Sequence, residues 1–188
     1  MIADHLLKCL SLLHEPEDKL KYRNLFYEAG NKARLSGAHK IALGYYKAAI
    51  ALLCENPWED ERFTMTHFLY TNAVALSWIM GEYDCTEKYL DIIFKHTTDP
   101  LDRVVAYRIQ HKYYFGRQMH KEGAEALHRC LKELNIENFK HNYTRAELDE
   151  EFELVKNMIN RLGSEEIKKI PACEDARLRA TMGVLEEM

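Results

Sequence analysis

The sequence predicts an all-α fold of successive antiparallel helical hairpins. Three observations predict it. Only four prolines and eight glycines interrupt 188 residues, which favours helix over sheet. No run alternates apolar and polar residues between hairpin-turn signals. Finally, one spaced pattern recurs. It reads Gly30, then Gly37-Ala38-His39, Ala42, Tyr46 and Ala49, and later Gly81-Glu82-Tyr83, Thr86, Leu90 and Ile93. A fainter third copy reads Gln118-Met119-His120, Gly123, Leu127 and Cys130. Small residues suit positions where two helices of a pair touch, and bulky ones suit the space between pairs.

The elements follow in order. Residues 1–13 read as an amphipathic helix with Ile2, Leu6, Cys9, Leu10 and Leu13 on one side, a cap helix over 1–14. Glu15-Pro16-Glu17-Asp18 ends it and starts the next, because proline suits a first helical turn and acids suit its positive end. Residues 18–36 and 38–54 form the first pair. Pro57-Trp58-Glu59-Asp60-Glu61 is expected to open a long helix to Met80, with Phe63, Phe68, Leu69, Ala73, Leu76 and Met80 on its apolar face. Its partner runs from Tyr83 to about His96. Thr98-Asp99-Pro100 is a cap-plus-proline start for a helix to Phe115, whose partner spans His120 to Leu134. Thr144-Arg145-Ala146-Glu147 is a capping box, and that helix runs to Leu162 before Gly163 stops it. Ser164-Glu165-Glu166 restarts a short turn, Pro171 breaks it, and Asp175 begins a last helix.

Composition narrows the function classes. With 47% hydrophobic and 30% charged residues the chain is far from disordered. A formal charge of −4 gives no basic face for bulk nucleic-acid binding. The longest apolar runs are broken by charges well short of a membrane span. The start, Met1-Ile2-Ala3-Asp4-His5, lacks a signal-peptide pattern. Five widely spaced cysteines, Cys9, Cys54, Cys85, Cys130 and Cys173, fit reduced thiols in the cytoplasm.

Anchoring the recurring pattern at Gly37, Gly81 and Gln118 places units near 23–56, 67–100 and 104–137, followed by C-terminal helices over 144–188, all in a single domain. These units resemble tetratricopeptide-type hairpins, so the expected architecture is a TPR-like α-α superhelix. Such solenoids bind partners and rarely do chemistry.

A broader resemblance rests on motifs in a fixed order. They are Ile2-Ala3-Asp4-His5-Leu6, Tyr27-Glu28-Ala29-Gly30-Asn31-Lys32-Ala33, Leu52-Leu53 before Pro57-Trp58, and Asp99-Pro100-Leu101-Asp102-Arg103. Leu134-Asn135-Ile136 and Ile170-Pro171 before Asp175-Ala176-Arg177 continue the series. The chain resembles, over nearly its whole length, the helical-repeat region of large fungal hybrid sensor histidine kinases. Those proteins fuse kinase-like, ATPase-like, repeat, GAF, histidine kinase and receiver domains. The resemblance implies a scaffold in stress-responsive phosphorelay signalling. Its partners would be neighbouring domains of the same polypeptide and proteins of a phosphorelay or MAP kinase pathway. The sequence departs from the usual Gly and Ala at Gln118 and Gly123, which puts the packing of the third pair in question. No catalytic role transfers: the chain has no G-x-x-x-x-G-K-[ST], no kinase Gly-rich loop and no His-Arg-Asp run. No catalytic residue, cofactor or metal is therefore expected.

The first helices of such pairs line a concave groove. That places Asn24, Tyr27, Asn31 and Arg34 from the first unit on it, then Thr71, Asn72, Ala75 and Trp78, then Arg108, Lys112 and Phe115. Asn31 and Asn72 resemble the asparagines with which some repeat proteins grip a peptide carboxylate. However, Tyr27, Val105 and Ile109 stand where basic groups would be needed. Both asparagines are expected to cap or bridge helices instead. Arg34, Arg108 and Lys112 leave the groove suited to an acidic partner. The alternative is a ligand-sensing solenoid, or a free-standing adaptor binding peptides in the same groove. His5 with Cys9 and His128 with Cys130 lack a second ligand pair for zinc. Cys54, Cys85 and Cys130 read as small buried hydrophobes. Cys9 beside Lys8, and Cys173, are the two positions open to a redox role. The acidic run Glu147, Asp149, Glu150, Glu151 and Glu153 reads as a solvated face or a docking strip.

Overall fold

The computed structural model describes residues 2–7, 10, 15–59, 62–136 and 143–188. Among them the regular structure is entirely helical, as the sequence predicts. The helices are α1 (Ile2–Leu7), α2 (Pro16–Leu35), α3 (His39–Ala51), α4 (Phe63–Ile79), α5 (Tyr83–His96), α6 (Pro100–Gly116), α7 (His120–Glu133), α8 (Arg145–Ile167) and α9 (Ala176–Leu185). The chain divides into two compact units, Met1–Cys130 and Leu131–Met188.

In the first unit α2 packs on α3, α3 on α4, and α4 on both α5 and α6, which also pack on each other. One backbone device ends the first helix of each hairpin. Gly37 (φ 77°), Gly81 (φ 73°) and Gln118 (φ 63°) are left-handed. The amide after each reaches back five residues: Ala38 N to Ala33 O (2.9 Å), Glu82 N to Ser77 O (2.8 Å), and Met119 N to Tyr114 O (3.0 Å). This is the Schellman closure, which satisfies carbonyls the helix leaves open. The departure at Gln118 thus leaves the turn geometry unchanged, although a residue with a Cβ carries the strain that glycine avoids. Asn135 (φ 61°) closes α7 the same way, with Ile136 N bonded to Leu131 O at 2.9 Å.

Downstream of each left-handed residue the equivalent positions are all buried. Ala42, Thr86 and Gly123 form one set, Tyr46, Leu90 and Leu127 the next, and Ala49, Ile93 and Cys130 the third. Packing explains the small ones. A Cβ on Gly30 would lie 2.8 Å from Cε1 of Tyr46, so α2 and α3 approach only because residue 30 has no side chain. A Cβ on Gly123 would meet His111 Nδ1 and the His111 carbonyl at 3.3 Å.

The described residues include two apolar clusters. The first joins Phe26, Ala42, Leu43, Tyr46, Ala49 and Leu69, with Leu6, Leu7 and Leu10 packed against it. The second joins Val74, Leu90, Ile93, Ala106 and Ile109, flanked by Trp58, Trp78 and Phe94. Arg103 ties the α5 terminus to α6: its Nη2 donates to Phe94 O (2.8 Å) and its Nε to Thr97 O (2.9 Å). Asp99 caps α6 by accepting from Leu101 N at 2.8 Å. The first and second hairpins also share an ion pair between Lys47 and Glu82. Burial alone would lower the pKa of Lys47, but the hydrogen bond and negative charge of Glu82 raise it. The same bond lowers that of Glu82.

Two expectations are corrected. The helix expected from Pro57 begins only at Phe63. Trp58 is drawn out of helical geometry by stacking on Tyr70 (5.2 Å) and His96 (5.1 Å), and Pro57 O accepts from Thr66 Oγ1. Cys54 is exposed rather than buried, because α3 stops at Ala51 and leaves it in the connecting turn beside Arg62 Nη1 (3.4 Å). Cys85 is half-buried and Cys130 buried. Cys9, Leu13, Asp60, Glu61 and the expected unit boundary at 137 lie outside the described residues.

In the second unit the capping box at Thr144 is formed: Glu147 Oε2 accepts from Thr144 N (2.8 Å) and Thr144 Oγ1 accepts from Glu147 N (3.3 Å). α8 breaks at Gly163 (φ 73°, ψ 156°) and resumes for one turn. Asp175 Oδ1 caps α9 through Arg177 N (2.8 Å) and Leu178 N (3.1 Å), and α9 buries Thr181 and Val184.

Gly30→Ala should lower stability by about 1–3 kcal/mol in urea unfolding, because its methyl overpacks Tyr46. Gly44→Ala, with nothing within 4 Å of a new Cβ, should leave stability unchanged or raise it by up to about 1 kcal/mol. In the same assay Gln118→Gly should stabilise by about 0.5–1 kcal/mol, through relief of the left-handed strain.

Candidate functional site

The left-handed residues set a common register for the first helices. Arg34, Trp78 and Phe115 each stand three residues before the closing residue of their helix. Asn31, Ala75 and Lys112 stand six before, and Tyr27, Thr71 and Arg108 ten before. The candidate groove residues therefore fall into matched rows, except Asn24, which stands thirteen before Gly37, and Asn72, which stands nine before Gly81. A helix advances about 100° per residue, so Asn72, three residues before Ala75, lies about 60° around the helix from the row of Asn31. Its Nδ2 donates to Phe68 O in its own helix at 2.8 Å. The two asparagines do not form a matched pair.

The rows are linked between helices. The Tyr27 ring meets Phe68 edge-on at 5.2 Å, which joins α2 to α4. Trp78 packs on the second core, which includes Ala106 and Ile109 of α6. Asn31 bridges α2 and α3, since Tyr46 OH donates to its Oδ1 at 2.7 Å. Burial pushes the Tyr46 phenol pKa up, and the adjacent Arg34 guanidinium, hydrogen-bonded to it, opposes this. Arg34 Nε is buried and has no hydrogen-bond partner among the described residues. An orphaned buried donor is costly.

Arg108 and Lys112 are half-buried. Phe115 is 55% exposed, with His120 edge-on at 4.5 Å and His111 tilted at 5.7 Å. On the first helices Arg34, Arg108 and Lys112 supply positive charge and Tyr27, Trp78 and Phe115 supply aromatic rings.

Other candidates fare differently. Cys173 is exposed, its Sγ 3.7 Å from Asp175 O. Cys9 lies outside the described residues, and so does half of the His5–Cys9 pair. His128 Nδ1 bonds Ala124 O at 2.8 Å. Among the described residues no three His, Cys, Asp or Glu side chains converge on a metal position. None of the described helices is long and apolar enough to cross a membrane. The sequence reading singled out the acids of α8 and passed over its apolar positions. Leu148, Phe152, Val155, Ile159 and Leu162 are all exposed, and their alternating spacing of four and three is the signal that marks them.

Tyr46→Phe should cost about 1 kcal/mol by leaving Asn31 Oδ1 without its donor, and should lower the melting temperature by about 2–4 °C. A melt monitored by far-UV circular dichroism checks this. Compared with known protein families, characterised proteins and solved structures, the chain gives no match.

Proposed function

We propose that this chain is a TPR-like interaction scaffold that presents the first-helix face of its hairpins to a protein partner. The observation that carries the reading is the repeated register. In all three hairpins the second helix contributes the same buried positions after the same left-handed closure. Burial of the second-helix positions leaves Tyr27, Arg34, Arg108, Lys112 and Phe115 in matched rows on the first helices. Side chains held by regular helices present a preorganised surface, so binding orders little. The order of motifs along the sequence supports placing the scaffold in a hybrid sensor histidine kinase of a stress phosphorelay. There it would dock neighbouring domains and pathway proteins. With no catalytic motif in the sequence, the chain would act by binding alone.

The test is affinity capture from a cell extract, followed by cross-linking mass spectrometry, with wild type and an Arg108→Ala/Phe115→Ala double variant. The wild type should retain a partner cross-linked through α2, α4 or α6, and the variant should lose it at least about tenfold, as expected where an arginine and an aromatic anchor are removed together. Equal retention by the two proteins removes the groove from the reading.

A further inference from the structure

We propose that α8 is a self-association helix: two copies of the chain pair through it as a short, parallel, in-register coiled coil. The inference goes beyond the groove and does not depend on it.

α8 has no buried residue along its length. Leu148, Phe152, Val155, Ile159 and Leu162 lie on it at spacings of four, three, four and three, and are between 47% and 66% exposed. These five keep the 3.5-residue repeat of a coiled-coil seam, with Met158 beside them at a g position and Leu154 at c, both also exposed. Leu148, Val155 and Leu162 take d positions, and Phe152 and Ile159 take a positions. Leucine at d with a β-branched residue at a favours two parallel strands, and here Ile159 lies between Val155 and Leu162. The seam ends where the helix does, at the break at Gly163.

Charge complementarity names the occupant as a second copy. In a parallel dimer each g residue faces the e residue five positions on in the other helix. That sets Glu151 opposite Lys156 of the other copy, twice by symmetry. Thr144 then faces Asp149, and Met158 faces Gly163, so no like charges meet. Within one copy, among the described residues, Lys156 pairs with the exposed Glu153 at 2.8 Å. Such exposed pairs are worth little, so Lys156 is free to exchange partners. The reverse orientation loses a layer. One register sets Leu162 opposite Arg145, although it also pairs Asp149 with Lys156; the next sets Leu148 opposite Glu166 and Lys156 against its own copy. Covering the stripe on both helices removes roughly 1,000 Å² from water, the smallest area a specific interface needs. The dimer is accordingly concentration-dependent, with a Kd weaker than about 1 µM.

Sedimentation equilibrium of the full chain from about 1 to 500 µM should show a monomer–dimer equilibrium. Phe152→Glu/Ile159→Lys should be monomeric throughout, with an unchanged far-UV spectrum, because both side chains are exposed in the single chain. Glu151→Lys and Lys156→Glu should each weaken the dimer by about 3–10-fold, and an equimolar mixture of the two should restore it. Leu148→Cys should form an interchain disulfide under mild oxidation above the wild-type background, since parallel register brings the two sulfurs together. A chain that stays monomeric overturns the proposal, as does a dimer that Phe152→Glu/Ile159→Lys leaves intact. A dimer in which Leu148→Cys gives no added disulfide overturns the parallel arrangement.

Discussion

The hairpins depend on one backbone constraint: the residue that ends each first helix must turn left-handed. Gly37 and Gly81 do so without strain, and Gln118 does so against a steric cost. The following amide then returns to a carbonyl five residues back, which fixes where the second helix starts. Once that start is fixed, the register of the second helix is fixed too. Tyr46, Leu90 and Leu127 arrive at equivalent buried positions for this reason.

Burial and exposure on the two helices are complementary consequences of that register. Gly30 lets α3 approach closely enough for Tyr46 to pack, and Tyr46 in turn carries its hydroxyl out to Asn31 and Arg34. The core and the candidate groove meet in a single side chain. A ring whose body is apolar and whose tip is polar suits that place, because each end meets the environment it needs. Arg34 is positioned by the same contact, while its Nε has no partner among the described residues. The second unit follows another logic: its longest helix is held by its own capping box and buries nothing.

Legibility in the sequence followed the range of the forces involved. The capping box at Thr144, the Asp99-Pro100 start, the break at Gly163 and the glycine closures are local, so a few residues determine them and they could be read directly. The third copy was fainter, because glutamine at 118 is a poor sign of a left-handed turn, yet tertiary context imposes one. Trp58 was misplaced in a helix because its rings' partners, Tyr70 and His96, are distant in sequence. Of the groove residues, the matched rows were implicit in the spacing. The Asn72 bond to Phe68 was not, since two side-chain orientations are compatible with one position. The apolar stripe of α8 was present in the sequence, but only its exposure separates it from a buried face.

The two tryptophans, Trp58 and Trp78, both flank the core around Val74, Leu90, Ile93, Ala106 and Ile109. Indole emission from this protein is consequently a local optical reporter. It follows solvent entry into the middle hairpin. Divergence between emission and ellipticity during a titration would then show the segments coming apart in separate steps.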